Sequence, residues 1–178
     1  MKKYLIQFKP FLLFIGTFFL AYIVLTLVYK FYLNSYSSNK VDGITKNVAD
    51  AVEYLMRLFN ADVRVVENPN YSSIVVYYRK SSIVRIIEGC NAVSIIILFI
   101  SFIMAFSGKF KTTLLFILFG TIFIYVLNVI RIIFLIVLLY RFPEYTHFLH
   151  GVLFPLIIYG LIFLLWIVWV TKYSKYAK

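Results

Sequence analysis

The sequence predicts a mainly α-helical membrane protein with four transmembrane helices. Both termini are expected in the cytoplasm, with a small α+β segment on the outer side between helices one and two. Three observations carry this expectation. The 178-residue chain is 63% hydrophobic with a mean hydropathy of +0.92, more apolar than an ordinary soluble domain. Several apolar runs approach the ~20 residues a helix needs to cross a bilayer. The lysines gather at the ends of those runs, where membrane topology places them. The net charge of +11 therefore reflects topology. No single basic face forms, and nucleic acid is not expected as a partner. The lone cysteine excludes an internal disulfide and a multi-cysteine metal site.

Residues 1–29 make the first unit, a cytoplasmic N-terminus and the first membrane helix. Lys2, Lys3 and Lys9 precede an apolar run of 20 residues from Pro10 to Tyr29. A signal peptide shares the basic start, but its apolar core is only about 7–15 residues. The run is read as an uncleaved span. Residues 30–88 make the second unit and hold six of the seven acidic residues. Asn34 to Asn39 reads as a loop. Val48, Ala49, Val52, Leu55, Met56 and Phe59 recur at helical spacing, which predicts an amphipathic helix over about 45–60. Val63–Val66, Ile74–Tyr78 and Ile83–Ile87 are short β-branched and aromatic runs, with Asn68-Pro69-Asn70 and Arg79-Lys80-Ser81 as turns between them. They predict a small antiparallel sheet. At 59 residues this unit is small for an independent fold and should rest on the membrane helices.

Residues 89–178 make the third unit, a three-helix core and a basic tail. The second span is expected from about Asn91 to Phe106, followed by the turn Ser107-Gly108-Lys109-Phe110-Lys111. Thr112 to Tyr140 is a run of 29 residues interrupted by Asn128 and Arg131. Two spans of ~20 residues cannot fit there, so the run is one long helix whose last two turns project from the membrane or bend along its surface. Pro143 ends it, and Tyr145 to His150 is a short loop or first turn. Gly151 to Val170 is the fourth span, with Trp166, Trp169 and Tyr173 suited to an interfacial aromatic belt. The N-terminus, the turn after helix two and the tail carry eight lysines and no acid. Four spans put all three on one side, the cytoplasmic one, and leave 30–88 and 141–150 facing outward.

That topology brings three chemically distinctive residues to one depth. Cys90 begins helix two at the outer side, and His150 begins helix four there. Arg131 follows Thr112 by 19 residues, about 28 Å along a helix and near the outer edge of a core about 30 Å thick. A thiol at a helix start meets unpaired N–H groups and a positive dipole end that favour the thiolate; Glu88 opposes this. An arginine in an apolar run is costly. It either snorkels to headgroups or faces the bundle, where it can hold a carboxylate or an oxyanion. Asn128 shares its helix face and can orient Arg131, donate to the same oxygen, or bond between helices. His150 suits general acid–base work near neutral pH, and His147 stands farther out. No acidic or cysteine partner stands at ligand spacing to the two histidines, so neither a metal nor another cofactor is expected.

Glu88-Gly89-Cys90-Asn91-Ala92 at a span start, then Asn128-Val129-Ile130-Arg131, then Phe148-Leu149-His150-Gly151, resemble the motifs of the exosortase/archaeosortase family, closest to its short subclass F. The resemblance covers about residues 85–165. It implies a membrane cysteine transpeptidase or protease in the bacterial cytoplasmic membrane, with its active site facing outward. It implies Cys90 as nucleophile, Arg131 as charge stabiliser and His150 as acid/base, with Asn128, Asn91, Glu88 and His147 in support. The implied substrate is the C-terminal signal of an exported membrane-tethered protein: a short motif, a hydrophobic helix and a basic tail. The acceptor is unknown, with a lipid or a glycan as candidates, and membrane lipids surround the whole. Many family members carry Cys-Ser-Gly where this chain carries Cys90-Asn91-Ala92. The chain also has about half the usual number of spans. The alternative from another class is a non-catalytic membrane binding or assembly protein, with Arg131 anchoring a lipid headgroup or a partner's carboxylate.

Overall fold

The computed structural model describes residues 8–37, 39–106 and 108–174. Lys2, Lys3, Ser107, Lys175 and Lys178, used above to argue topology and turns, lie outside the described residues. Helix α1, Lys9–Leu33, starts with Pro10 in its first turn, where its missing N–H costs nothing. Of its residues only Ala21 is buried; one face packs on a later helix, α3, and the rest is apolar surface. Helix α2, Gly43–Leu58, is capped by Asp42, whose carboxylate accepts from the backbone N–H groups of Ile44 and Thr45 at 3.0 Å each. Past its C-cap Phe59, Asn60 takes a left-handed φ of 57° while Ala61 N–H reaches back to Met56 C=O at 3.1 Å. Thr45, Val48, Ala49, Val52 and Met56 form its buried stripe.

Strands β1 (Val63–Glu67), β2 (Ile74–Tyr78) and β3 (Ser81–Ile86) pair antiparallel in the order β1-β2-β3. Val65 faces Val76, and Val76 faces Val84. The first two strands fall where the β-branched runs predict. The third starts two residues earlier than expected. Arg79 and Lys80 alone turn the chain, both at positive φ (49° and 66°), the geometry two-residue hairpins favour. A bulge between Val76 and Tyr77 absorbs the register shift. Arg79 is held over the rings of Tyr78 and Tyr140, each centroid 5.5 Å away. Glu67 lies 3.0 Å from Lys46 and holds its ammonium above the usual range; at full exposure this pair contributes little.

Helix α3 is Val93–Ala105, helix α4 is Phe110–Arg141, and α5 is the helical run Pro143–Tyr173. Three helices, α1, α4 and α5, are long and apolar enough to cross a membrane. The remaining expected span is α3, at 13 residues only about 20 Å long. It starts later than the apolar pattern suggests because Ala92 adopts φ 64°, which no α-helical residue does. Helix α5 starts earlier than expected. Pro143 opens its first turn instead of preceding a loop, so both histidines are helical.

Helix α4 organises the rest. Its 32 residues span about 48 Å, well beyond an apolar core about 30 Å thick. The excess is covered by protein. Val129, Ile132 and Ile136 of α4 join Val48, Val52 and Met56 of α2 and Ile74, Val76 and Ile86 of the sheet in one core. A second core, at the end carrying Lys9, Lys109 and Lys172, contains Phe99, Ile103, Ile124 and Trp169. The tryptophans pack within the protein. Trp169 is fully buried and its indole N–H donates to Phe106 C=O at 2.9 Å. Trp166 stacks on Phe102 at 4.2 Å. Gly120 permits the close crossing of α3 and α4, since a Cβ there would meet the Phe99 ring at 2.2 Å.

Candidate active site

The chain leaves β3 and makes a single 3₁₀ turn, Glu88–Cys90, before α3. Cys90 N–H donates to Ile87 C=O at 2.8 Å. Cys90 therefore stands one turn ahead of α3 and not on its first residue. The first N–H of α3, on Val93, is taken by Asn91 Oδ1 at 3.0 Å. The helix-start argument for a favoured thiolate is weakened accordingly. Asn91 is 2% exposed, and its Nδ2 donates to Tyr29 OH at 2.8 Å and to Thr45 Oγ1 at 3.0 Å. Glu88 is exposed and makes no ion pair among the described residues.

The turn is held from behind by α4. Asn128, 1% exposed, donates through Nδ2 to Cys90 C=O at 2.7 Å. Of the roles open to Asn128, a bond to the cysteine's own backbone is the one realised. Its Oδ1 is buried without a partner, and so is Nε of Arg131, three residues on. A donor and an acceptor are thus left open, one helical turn apart on one face. With its Nε shielded, Arg131 is not extended freely to headgroups.

His150 lies in a π-helical turn, Leu149–Leu153, closed by Phe154 N–H to Leu149 C=O. Pro155 follows and has no N–H to return to Gly151, so the regular ladder is interrupted here. Such turns recur at functional sites. Leu149 and Phe154 pack against Leu135 and Leu139 of α4, which fixes this turn to the helix one to two turns past Arg131. The His150 side chain is exposed, as is that of His147; among the described residues nothing ties His147 to the cysteine turn.

One face of α4 thus carries, in succession, the anchor of the Cys90 turn (Asn128), a half-buried guanidinium (Arg131) and the anchor of the His150 turn (Leu135, Leu139). The turns that carry the thiol and the imidazole both rest on the α4 face that carries the guanidinium; a thiol, a cation and an imidazole are side chains that acyl transfer can use as nucleophile, oxyanion partner and proton carrier. A polar basin of about 430 Å³ lined by Asn34, Tyr36, Lys40, Asp42, Ser72 and Glu88 borders the cysteine turn. A larger apolar groove of about 870 Å³, between Phe14 and Phe106, lies at the lysine end, away from this chemistry. No group of three His, Cys, Asp or Glu side chains is placed to hold a metal among the described residues.

Tyr29 and Thr45 escaped the sequence reading. Thr45 had a signal: it is the polar member of an otherwise apolar stripe on α2. Tyr29 had none, being one aromatic among many at the end of an apolar run.

Among models of known protein families, one described as transmembrane exosortase (Exosortase_EpsH) matches residues 7–171. No curated protein matches the chain, and neither does any solved structure.

Proposed function

The chain belongs to the transmembrane exosortase family, and from that membership we propose that it is a cysteine transpeptidase acting on the C-terminal sorting signals of exported proteins. The motifs around Cys90, Arg131 and His150 favour the short subclass F. The observation that carries the mechanism is the single α4 face that holds the Cys90 turn through Asn128, presents Arg131, and supports the turn bearing His150.

In this reading His150 accepts the thiol proton as Cys90 Sγ bonds to the scissile carbonyl carbon. The resulting oxyanion lies against Arg131. Its collapse expels the amine of the signal, which takes the proton from His150, and leaves a thioester on Cys90. Water or an acceptor hydroxyl or amine then attacks, giving its proton to His150 as the C–S bond breaks. The chain crosses the bacterial cytoplasmic membrane four times, with α3 as a short span flanked by protein, both termini inside and the site outside. The lysines at Lys9, Lys109 and Lys172, gathered at one end, support that orientation.

The test uses cells carrying a reporter that ends in a short motif, a hydrophobic helix and a basic tail. Cys90→Ala should abolish its processing. Arg131→Ala should slow it on the order of 10²–10³-fold, the usual loss of an oxyanion donor. Processing at the wild-type rate by Cys90→Ala would end this reading.

A further inference from the structure

We propose that Tyr29 and Thr45 are positioning residues for the nucleophile turn, acting through Asn91; the inference rests on Cys90 being the nucleophile. Neither belongs to the motifs around Cys90, Arg131 or His150. They come from helices 46 and 62 residues earlier in the chain, and both meet one amide nitrogen.

The Asn91 side chain is nearly saturated. Its Nδ2 uses both hydrogens, on Tyr29 OH at 2.8 Å and Thr45 Oγ1 at 3.0 Å, and its Oδ1 accepts from Val93 N–H at 3.0 Å. Asn91 and Thr45 are 2% and 0% exposed, so no water can replace a lost partner cheaply. Three bonds in different directions leave the amide one orientation. That orientation sets the backbone between Cys90 and Val93, including the left-handed Ala92 (φ 64°, 4% exposed). Alanine does not favour this conformation by itself, so surrounding contacts must impose it. On the other side, Asn128 holds Cys90 C=O at 2.7 Å. The cysteine backbone is therefore gripped from both sides: by α4 directly, and by α1 and α2 through Asn91. A nucleophile needs such support to stand within a fraction of an ångström of its partners. In this chain α2 supplies part of it, so the amphipathic helix serves the site as well as the core.

Cys90 is the chain's only cysteine, so alkylation of the purified full-length protein in detergent, read by intact mass, reports on it alone. The measurement is the rate of reaction with iodoacetamide against pH, whose midpoint is the thiol's apparent pKa because the thiolate is the reacting form. Thr45→Val and Tyr29→Phe should each move the midpoint upward by at least about half a unit. At pH 7 they should slow alkylation at least about threefold, as the turn loses the grip that orients the thiol. Thr45→Ser, which restores the acceptor, should return both to wild-type values. Ser101→Ala, an equally buried change on α3 whose hydroxyl bonds only Ile97 C=O, should leave the profile unmoved. An unchanged or lowered midpoint in Thr45→Val and Tyr29→Phe, whatever happens to their thermal stability, would overturn the inference. A wild-type midpoint at the ordinary thiol value of about 8.5 would instead strike the reading of Cys90 as an activated nucleophile, and the inference with it.

Discussion

Gly120→Ala isolates the contact that lets α3 approach α4. A methyl there would stand 2.2 Å from Phe99 Cζ and 2.4 Å from Cε1. Carbon atoms pack at ~3.5–4.0 Å, so the ring or a helix would have to retreat by more than about 1 Å. The ring has nowhere to go. Phe99 is fully buried and stacks on Phe116, whose ring is 4.9 Å from the equally buried Trp169. Overpacking of this kind costs about 1–3 kcal/mol. Helix propensity works in the opposite direction, favouring alanine over glycine by about 0.8–1.0 kcal/mol. A contact this short puts the overpacking cost in the upper part of its range, about 2–3 kcal/mol, so the clash should win by about 1–2 kcal/mol. The assay is reversible unfolding in mixed micelles by rising SDS fraction, followed by far-UV circular dichroism. Phe99→Leu provides the internal check: in that background Gly120→Ala should cost less than half as much. If Gly120→Ala is as stable as wild type, or gains the propensity term, the two helices do not cross at Gly120 and the packing described here is wrong.

Substitutions at three further positions probe the turns. Asn128→Leu keeps the branched heavy-atom shape but leaves Cys90 C=O without its donor; stability should fall by about 1–3 kcal/mol in the same unfolding assay, and reporter processing should fall with it. At Ala92 the opposing effects nearly cancel. Relief of the left-handed strain, about 1–2 kcal/mol, is offset by a lost buried methyl, about 0.8 kcal/mol, and by glycine's extra unfolded freedom, about 0.4–1 kcal/mol. Ala92→Gly should therefore stay within about 0.5 kcal/mol of wild type, whereas β-branched Ala92→Val should lose about 2 kcal/mol or more. Lys80 has the same left-handed backbone without burial, so Lys80→Gly should gain about 0.5 kcal/mol, measured as a higher SDS midpoint.

The parts of the proposed site legible in the sequence were those whose chemistry conflicts with their surroundings. Cys90, Arg131 and His150 stand out because apolar runs around them have no packing need for a thiol, a guanidinium or an imidazole. The strand positions were legible because β-branched residues cluster at Val63–Val66 and Ile74–Tyr78. The start of β3 was not, because Arg79-Lys80 occupies a turn whose usual signature is Asn-Gly; stacking on Tyr78 and Tyr140 holds it there. The start of α3 was hidden for a related reason. Asn91 looks like a helix opener, yet it bonds Val93 N–H across a left-handed Ala92. Pro143 follows the end of α4 at Arg141 as expected, and it also opens the first turn of α5, since proline is compatible with the first turn of a helix. Contacts spanning 46 or 62 residues, such as those from Asn91 to Thr45 and Tyr29, leave no local pattern at all.

The central claim is that Cys90 carries the acyl group, and the most direct measurement is to catch it there. The protein is purified from cells that make the tail-anchored reporter, quenched in acid to stop release, and its intact mass is recorded before and after hydroxylamine. The account predicts an adduct the mass of the truncated reporter, lost on hydroxylamine treatment and absent when Cys90 is changed to Ala. Processed reporter in those cells without any adduct on Cys90, or an adduct that survives the Cys90→Ala change, would contradict it.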